Sequence, residues 1–224
     1  MATLSSIRDK IRRRIQEPSA DRYSDADLNA FINEAQKEFS LDTEYTLSSW
    51  TFSASEDVAE YKLPSDLLNI IRVSFDDLRL KETTLSELDK LDEDLDEDSD
   101  DDDKWVNQTG TPTHYLFVTE NVIRLYPYPD SDADGKTIEI YGVQIPKTLS
   151  NDADKSDISD IFERTIADWV AWQIFDIEGE IDQAIRFERK YNKGIATAIR
   201  LKNRRIKEEP LYLEADDNFK YKEI

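Results

Sequence analysis

The sequence predicts an α+β protein: a helical bundle formed by N- and C-terminal helices, an inserted small antiparallel β lobe and an extended C-terminal arm. Apolar residues recur at the spacing of one helix face near both ends of the 224-residue chain, and they alternate with polar residues in the middle. Helices at the two ends of the chain must bury their apolar faces, and they can do so by packing against one another. We expect a helical hairpin over residues 1–42, a β-rich insertion over 43–150, long helices over 151–206 and an arm over 207–224.

The N-terminal hairpin is predicted from two apolar stripes that are separated by a helix stop and a helix start. The stripes consist of Leu4, Ile7, Ile11 and Ile15, and of Leu28, Phe31, Ile32, Ala35 and Phe39. Pro18 ends the first helix, because a proline inside a helix lacks the amide donor and clashes with the preceding turn. Ser24 and Asp27 have the spacing of a capping box, which predicts the start of the second helix.

The β lobe is predicted from short segments in which apolar residues alternate at a period of two. These segments fall near residues 50–52, 61–63, 71–75, 115–118, 122–126 and 137–143. The turns between the later segments contain Gly110, Pro112, Pro127, Pro129 and Gly135. Short strands separated by such turns favour a small antiparallel lobe.

The C-terminal helices are predicted from the return of helical spacing after Asp157. Their apolar faces consist of Ile158, Ile161, Phe162, Ile166, Trp169 and Val170, and of Ile181, Ala184, Ile185, Tyr191, Ile195, Ala198 and Ile199. Gly179 marks a break between the two helices. The second helix is expected to end near Ile206.

Several classes of function are disfavoured by what the chain lacks. It has no Cys, so disulfides, thiolate metal sites and Cys nucleophiles cannot form. Its glycines form neither of the two standard nucleotide-binding loops. His114 is the only His and is interpreted as a structural residue on a strand. We therefore expect no catalytic residue, no cofactor and no metal site, and neither a signal peptide nor a membrane-spanning segment is predicted.

An acidic run, DEDLDEDSDDDDK from Asp92 to Lys104, dominates a predicted acidic loop over residues 89–103. Carboxylate oxygens are ligands that Ca²⁺ prefers. The run lacks the alternating spacing and the glycine of an EF-hand loop, and contiguous Asp residues repel one another. We interpret it as a solvated acidic loop.

Basic residues are concentrated near the two ends of a chain whose formal net charge is −21. The first helix contains Arg8, Lys10, Arg12, Arg13 and Arg14, and the last contains the candidate contact residues Arg186, Arg189, Lys190, Lys193, Arg200, Arg204 and Arg205. Three roles are open to the last helix: contact with DNA, a solvated face, or contact with an acidic patch on a partner subunit. The net charge favours the last two, because an acidic protein repels phosphate.

The final segment has apolar residues among charges but no clear helical period. Its candidate contact residues are Pro210, Leu211, Tyr212, Leu213, Phe219 and Tyr221. A single chain gains little by ordering such a segment on itself. We therefore expect an arm that packs on a neighbouring subunit.

The opening hairpin contains a phrase of the form D-x-x-L-x-x-x-I-N-E-A-Q, and further phrases, such as YKLPSDLLNIIRVSFDD and GTPTHYLF, follow it along the chain. This series of phrases resembles the phage adaptor, or head-to-tail connector, family. The opening RDKIRRRIQEPSADRYSDADLNAFINEAQKEF is similar to the first hairpin of that family, whose phrase D-x-x-L-x-x-x-I-N-E-A-Q falls here on Asp25, Leu28 and residues 32–36. Similar phrases follow in order: YKLPSDLLNIIRVSFDD, GTPTHYLF, VIRLYPYPD, IEIYGVQIPKTLS and ISDIFERTIADWVAWQIF. The resemblance runs from about Leu4 to Arg200.

The resemblance implies a structural protein of the virion neck that is synthesised in the host cytoplasm. Identical subunits, commonly twelve, would form a ring beneath the portal, with the tail or the next neck ring below it. Genomic DNA would pass through the lumen without sequence-specific contact, and neither catalysis nor a membrane partner is implied. In such rings C-terminal arms commonly contact the portal, which points to residues 208–224.

Two other functions are weighed against the connector. A neck-associated peptidoglycan hydrolase would need a catalytic carboxylate in a defined motif, and none is recognisable among the 50 Asp and Glu residues. An acidic Ca²⁺-binding protein built around the acidic run predicts tight, stoichiometric metal uptake that disappears when residues 100–103 become Asn. Counterion condensation on the same run predicts weak binding that moderate salt displaces.

Overall fold

The structure, a computed structural model, describes residues 3–17, 19–93 and 104–207. Its helices are α1 (Leu4–Arg14), α2 (Asp25–Thr43), α3 (Leu85–Glu93), α4 (Glu163–Ile177) and α5 (Ile181–Lys207). Its strands are β1 (Leu47–Ser53), β2 (Glu60–Lys62), β3 (Leu67–Phe75), β4 (Leu78–Arg79), β5 (Lys81–Glu82), β6 (Thr109–Gly110), β7 (His114–Thr119), β8 (Val122–Tyr126), β9 (Tyr128–Pro129) and β10 (Thr137–Gln144). This order confirms the predicted α+β fold with helices at both ends and strands between them.

Helices from the two ends of the chain pack into one helical lobe, formed by α1, α2, α4 and α5. Their facing side chains form a single buried cluster, to which the N-terminal hairpin contributes Leu4, Ile11 and Phe39 and to which α4 contributes Val170 and Ile174. Burial of apolar surface contributes roughly 25 cal/mol per Å², so this shared core joins the two ends of the chain. The predicted bundle is therefore confirmed.

Local signals set the ends of these helices. The Ser24 hydroxyl accepts the Asp27 amide at 3.2 Å, and the Asp27 carboxylate accepts the Ser24 amide at 2.9 Å, which is the predicted capping box. Gly179 separates α4 from α5 with a φ of 75°, a conformation that glycine adopts without steric cost. α1 ends at Arg14, and Pro18 lies outside the described residues.

The middle of the chain folds into small sheets around a second apolar core. One sheet has the order β1-β10-β3-β4, another has the order β2-β8-β7-β5, and β6 pairs with β9. The longer strands pair antiparallel, whereas β5–β7 and β6–β9 are two-residue parallel pairings. Val73, Phe75 and Ile123 are fully buried in this core. The six predicted strand segments coincide with β1, β2, β3, β7, β8 and β10.

The acidic loop begins later than the sequence predicted, because residues 89–93 belong to α3. The Thr84 hydroxyl accepts the Glu87 amide at 3.3 Å, and the Glu87 carboxylate accepts the Thr84 amide at 3.2 Å. This second capping box begins the helix, and burial of Leu88 in a small apolar cluster stabilises it. The remaining acidic residues, 94–103, lie outside the described part of the chain.

The start of the C-terminal helices also differs from the prediction. A 3-10 turn, Asp160–Phe162, precedes α4. Ile158 and Phe162 are buried as expected, but Ile161 is 58% exposed. A 3-10 turn has three residues per turn, so the spacing that places Ile161 on the apolar face of an α-helix does not apply here. Ile161 therefore lies at the surface of the helical lobe.

Candidate interaction surface of the helical lobe

Basic side chains of α1 are bound by carboxylates of the same chain. Arg8 and Arg12 are each only 8% exposed. Arg8 donates to Asp152 at 2.7 Å, and Arg12 donates to Asp25 at 2.5 Å. The hydrogen bond from Arg12, with further attraction to both arginines, holds the pKa of Asp25 below its ordinary value. These arginines therefore join α1 to α2 and to the segment before α4.

A second set of ion pairs joins α1 to α4. Arg14 Nε donates to Asp168 at 2.7 Å, and Lys10 pairs with Glu163. Asp168 is 4% exposed, so its negative charge lies beneath the surface of the lobe. Arg164 approaches the same carboxylate, at 3.9 Å. Because breaking a buried pair leaves an unpaired charge, these contacts are structural.

Most basic side chains of α5 are exposed at the surface, although Lys202 pairs with Glu44. The exposed ones are those of Arg186, Arg189, Lys193, Arg200 and Arg204. Lys190 is half-buried, and its Nζ lies 4.0 Å from the centroid of the Phe187 ring. Partial burial and repulsion from Arg186 lower the pKa of Lys190, while Asp168 opposes this shift. α5 therefore presents a concentration of positive charge on a chain that is acidic as a whole.

An open groove, called here the interhelical groove, lies between the start of α4 and the C-terminal half of α5. Its mainly apolar end has a volume of about 330 Å³ and is lined by Tyr45, Leu47, Ile161, Phe162, Ala198 and Leu201, and also by the ion pair of Lys202 with Glu44. Its cationic end has a volume of about 360 Å³ and is lined by Arg164, Thr165, Asp168, Lys190, Lys193 and Gly194. Ile161, Phe162 and Leu201 line both ends, so the groove is continuous.

Gly194 sets the distance between the two helices at the floor of this groove. A Cβ atom at this position would lie 2.3 Å from Oγ1 of the buried Thr165. Close-packed interiors do not accommodate such an overlap without movement of the helices. The absence of a side chain at Gly194 therefore allows α4 and α5 to approach closely.

Some of the contact residues predicted from the sequence line this groove, and others lie elsewhere in the chain. Lys190 and Lys193 line its cationic end. Arg164 joins them and was not among the candidates, although its spacing of four residues from Asp168 was visible in the sequence. The side chain of Arg205 and the arm residues 208–224, including all six apolar candidates, lie outside the described residues.

Among the described residues, the candidate catalytic and metal-binding side chains do not lie together in one site. His114 lies on β7, and its Nδ1 is 2.9 Å from the hydroxyl of Thr113. Among residues 3–17, 19–93 and 104–207, no group of three or more His, Asp or Glu could hold a metal ion. Within the same ranges no helix has the length and apolar character needed to cross a membrane.

Comparison with protein families gives a match over nearly the whole chain. The family model described as SU10 adaptor protein matches residues 2–211, which include both helical ends and the β lobe. No curated protein matches the chain significantly in sequence. The match confirms the resemblance to phage adaptors that the phrases of the sequence indicated. The chain therefore belongs to the SU10 adaptor protein family and is a phage structural adaptor protein.

Proposed function

We propose that this chain is the head-to-tail connector of a tailed phage. Identical subunits, twelve by analogy with the family, form a ring under the portal and attach below to the tail or to the next neck ring. The match of the family model over residues 2–211 is the observation that supports this proposal most directly. The protein acts by binding its neighbours in the virion neck and not by catalysis.

The charge of the chain supports passage of DNA through such a ring. The formal net charge is −21. A negative wall does not bind the polyanion that moves past it, so genomic DNA passes through the lumen without sequence-specific contact. The ring in this way continues the channel that begins at the portal.

Two surfaces are proposed to make the contacts of the ring. The six apolar arm residues named above, from Pro210 to Tyr221, contact the portal or a neighbouring subunit. The exposed cations of α5 contact an acidic patch of a neighbouring copy, because every copy has an excess of negative charge. The α1 cations are poor candidates, because Arg8, Arg12 and Arg14 are already paired within the subunit.

Cryo-electron microscopy of the purified virion neck tests this proposal. We expect the density of this chain to form a closed ring between the portal and the tail, with its copies counted directly. Density elsewhere in the virion, or no density at all, would contradict the connector function.

A matched pair of variants tests the proposed contact of α5. Arg189→Glu should reduce ring formation on the portal, because like charges then face each other. Arg13→Glu, a reversal at an exposed cation of α1, should leave ring formation unchanged. Equal effects of the two reversals would show that net charge, and not the α5 surface, controls assembly.

A further inference from the structure

The apolar end of the interhelical groove exposes hydrophobic surface. Ile161 and Leu47 are 58% and 39% exposed, and Tyr45 and Leu201 are partly buried against the core of the lobe. Large apolar side chains that line a concave surface are typical of a docking site. This end of the groove lies along the last turns of α5, close to Lys207, where the described residues end.

The segment that follows Lys207 has the chemistry that this groove requires. Residues 208–217 read EEPLYLEADD. Pro210 cannot continue the helix, because it lacks an amide donor. The next three residues are Leu-Tyr-Leu, and the four after them include Glu214, Asp216 and Asp217. An apolar stretch is thus followed by an acidic one.

We propose that in the free subunit, before the arm contacts the portal or a neighbouring subunit, residues 208–217 fold back along α5 and occupy the interhelical groove of their own subunit. An α-helix rises about 1.5 Å per residue, so Leu201 lies about 9 Å and Lys190 about 25 Å behind Lys207. An extended segment advances about 3.3 Å per residue. After a reversal at residues 208–210, the Leu-Tyr-Leu stretch reaches the level of Leu201, and residues 214–217 reach the level of Lys193 and Lys190.

The order of chemistry along the segment agrees with the order along the groove. A returning chain must enter at the apolar end, which lies nearer to Lys207, and run towards the cationic end. That end is lined by Arg164, Lys190 and Lys193 and by one buried carboxylate, Asp168, which already binds Arg14 at 2.7 Å. Repulsion among these cations is reduced when an acidic segment joins them.

The covalent link between the segment and the groove favours docking within one subunit. A short tether gives an effective concentration on the order of millimolar, well above that of a neighbouring subunit in dilute solution. The sequence alone predicted that the arm packs on a neighbouring subunit, because the segment lacks the periodicity of a helix or strand that would bury its apolar residues. The groove supplies the missing surface, and this inference holds whether or not the chain forms a neck ring.

Thiol trapping in the full-length chain tests the proposal without background, because the chain has no Cys. Leu213→Cys is combined with Ile161→Cys in the groove, or with Glu120→Cys at the exposed β7–β8 turn as a matched control. Under mild oxidation by oxidised glutathione, the disulfide within one subunit should form about tenfold faster for the groove pair. When Lys190→Glu and Lys193→Glu are added to the groove pair, its rate of disulfide formation should fall close to that of the control pair.

Three results would overturn the proposal. Equal rates for the groove pair and the control pair would mean that residues 208–217 do not dock. Disulfides that join only different subunits would mean that the arm of a neighbour fills the groove. If the two charge reversals leave the rate of disulfide formation unchanged, the acidic stretch does not contact the cationic end of the groove. If circular dichroism shows that Ile161→Cys does not fold, Thr197→Cys replaces it, because Thr197 of α5 lines the same groove.

Discussion

Helices α1 and α5 are both rich in Arg and Lys, yet they use these residues in opposite ways. Arg8 and Arg12 of α1 are 8% exposed and are bound by carboxylates, whereas Arg186 and Arg189 of α5 are exposed. The difference arises from the surroundings, because α1 lies between acidic residues of α2, α4 and the segment before α4. A basic helix can therefore offer its cations to an acidic partner only where the fold leaves them exposed, as it leaves Arg186 and Arg189.

Removal of the carboxylate beneath α1 should produce the largest loss of stability. Asp168→Ala leaves the half-buried Arg14 without its partner, and we expect the free energy of unfolding to fall by about 4 kcal/mol. Urea denaturation measures this change. Asp176→Ala, at an exposed position of the same helix, is the control and should cost less than about 0.5 kcal/mol. Similar losses for both variants would mean that the α1 pairs are not structural.

The contribution of α5 to stability should come from its inner face. Gly194→Val places side-chain atoms where Thr165 already lies, and we expect a loss of about 2.5 kcal/mol in the free energy of unfolding. Thr165→Ala in the same chain should recover part of that loss. Ala196→Val, at an exposed position of α5, is the control for helix propensity. If both valine variants lose the same amount, close approach of the helices is not the cause.

Two adjacent arginines of α1, Arg12 and Arg13, differ in exposure and should therefore differ in their contribution to stability. Arg12→Ala removes hydrogen bonds to Asp25 and to the Tyr23 carbonyl, and it should cost about 2 kcal/mol in the free energy of unfolding. Arg13→Ala should cost less than about 0.5 kcal/mol, because Arg13 is exposed. Thermal and urea unfolding of the two variants provide the measurement, and a reversed order would contradict the comparison.

The pairing of Arg12 with Asp25 also predicts a dependence on pH. The folded pKa of Asp25 lies below its ordinary value of 3.8, so the stability from this pair is complete above that value and is lost as pH falls through the folded pKa. The free energy of unfolding should therefore fall as the pH drops below about 4 and should continue to fall through the folded pKa of Asp25. Arg12→Ala should show a smaller fall than the unmodified chain, and parallel pH profiles would show that the pair does not hold this pKa.

The smallest effect is expected at the outer face of α5. Arg189→Ala should change the free energy of unfolding by less than about 0.5 kcal/mol, because its side chain is exposed. Urea denaturation compares it directly with Arg12→Ala. A loss equal to that of Arg12→Ala would mean that α5 cations are as structural as those of α1.

Several features of the fold were predictable because they depend on neighbours in sequence. Ser24 and Asp27 form the predicted capping box, Gly179 separates α4 from α5, and the longer strands follow the period of two. The Thr84 and Glu87 pair that begins α3 was an equally local signal and was missed. Strands of two residues, such as β4 and β9, have no recognisable period and form because of their pairing partners.

The candidate surface was only partly predictable. Lys190 and Lys193 were identified from their position in a basic helix, but the groove that they line also needs Arg164 and the exposed Ile161. Ile161 was expected in the core, and the 3-10 turn before α4 places it at the surface instead. A surface that combines side chains of two helices depends on how those helices pack.

The sequence by itself determined the order of the four long helices and of the six longer strands, the capped start of α2, the lack of Cys and the concentration of positive charge near both ends of the chain. Only the tertiary structure decided which of those charges are neutralised. Arg8 and Arg14 find their carboxylates 144 and 154 residues away. Periodicity and caps act over a few residues, whereas the exposure of a cation depends on segments that only folding brings beside it.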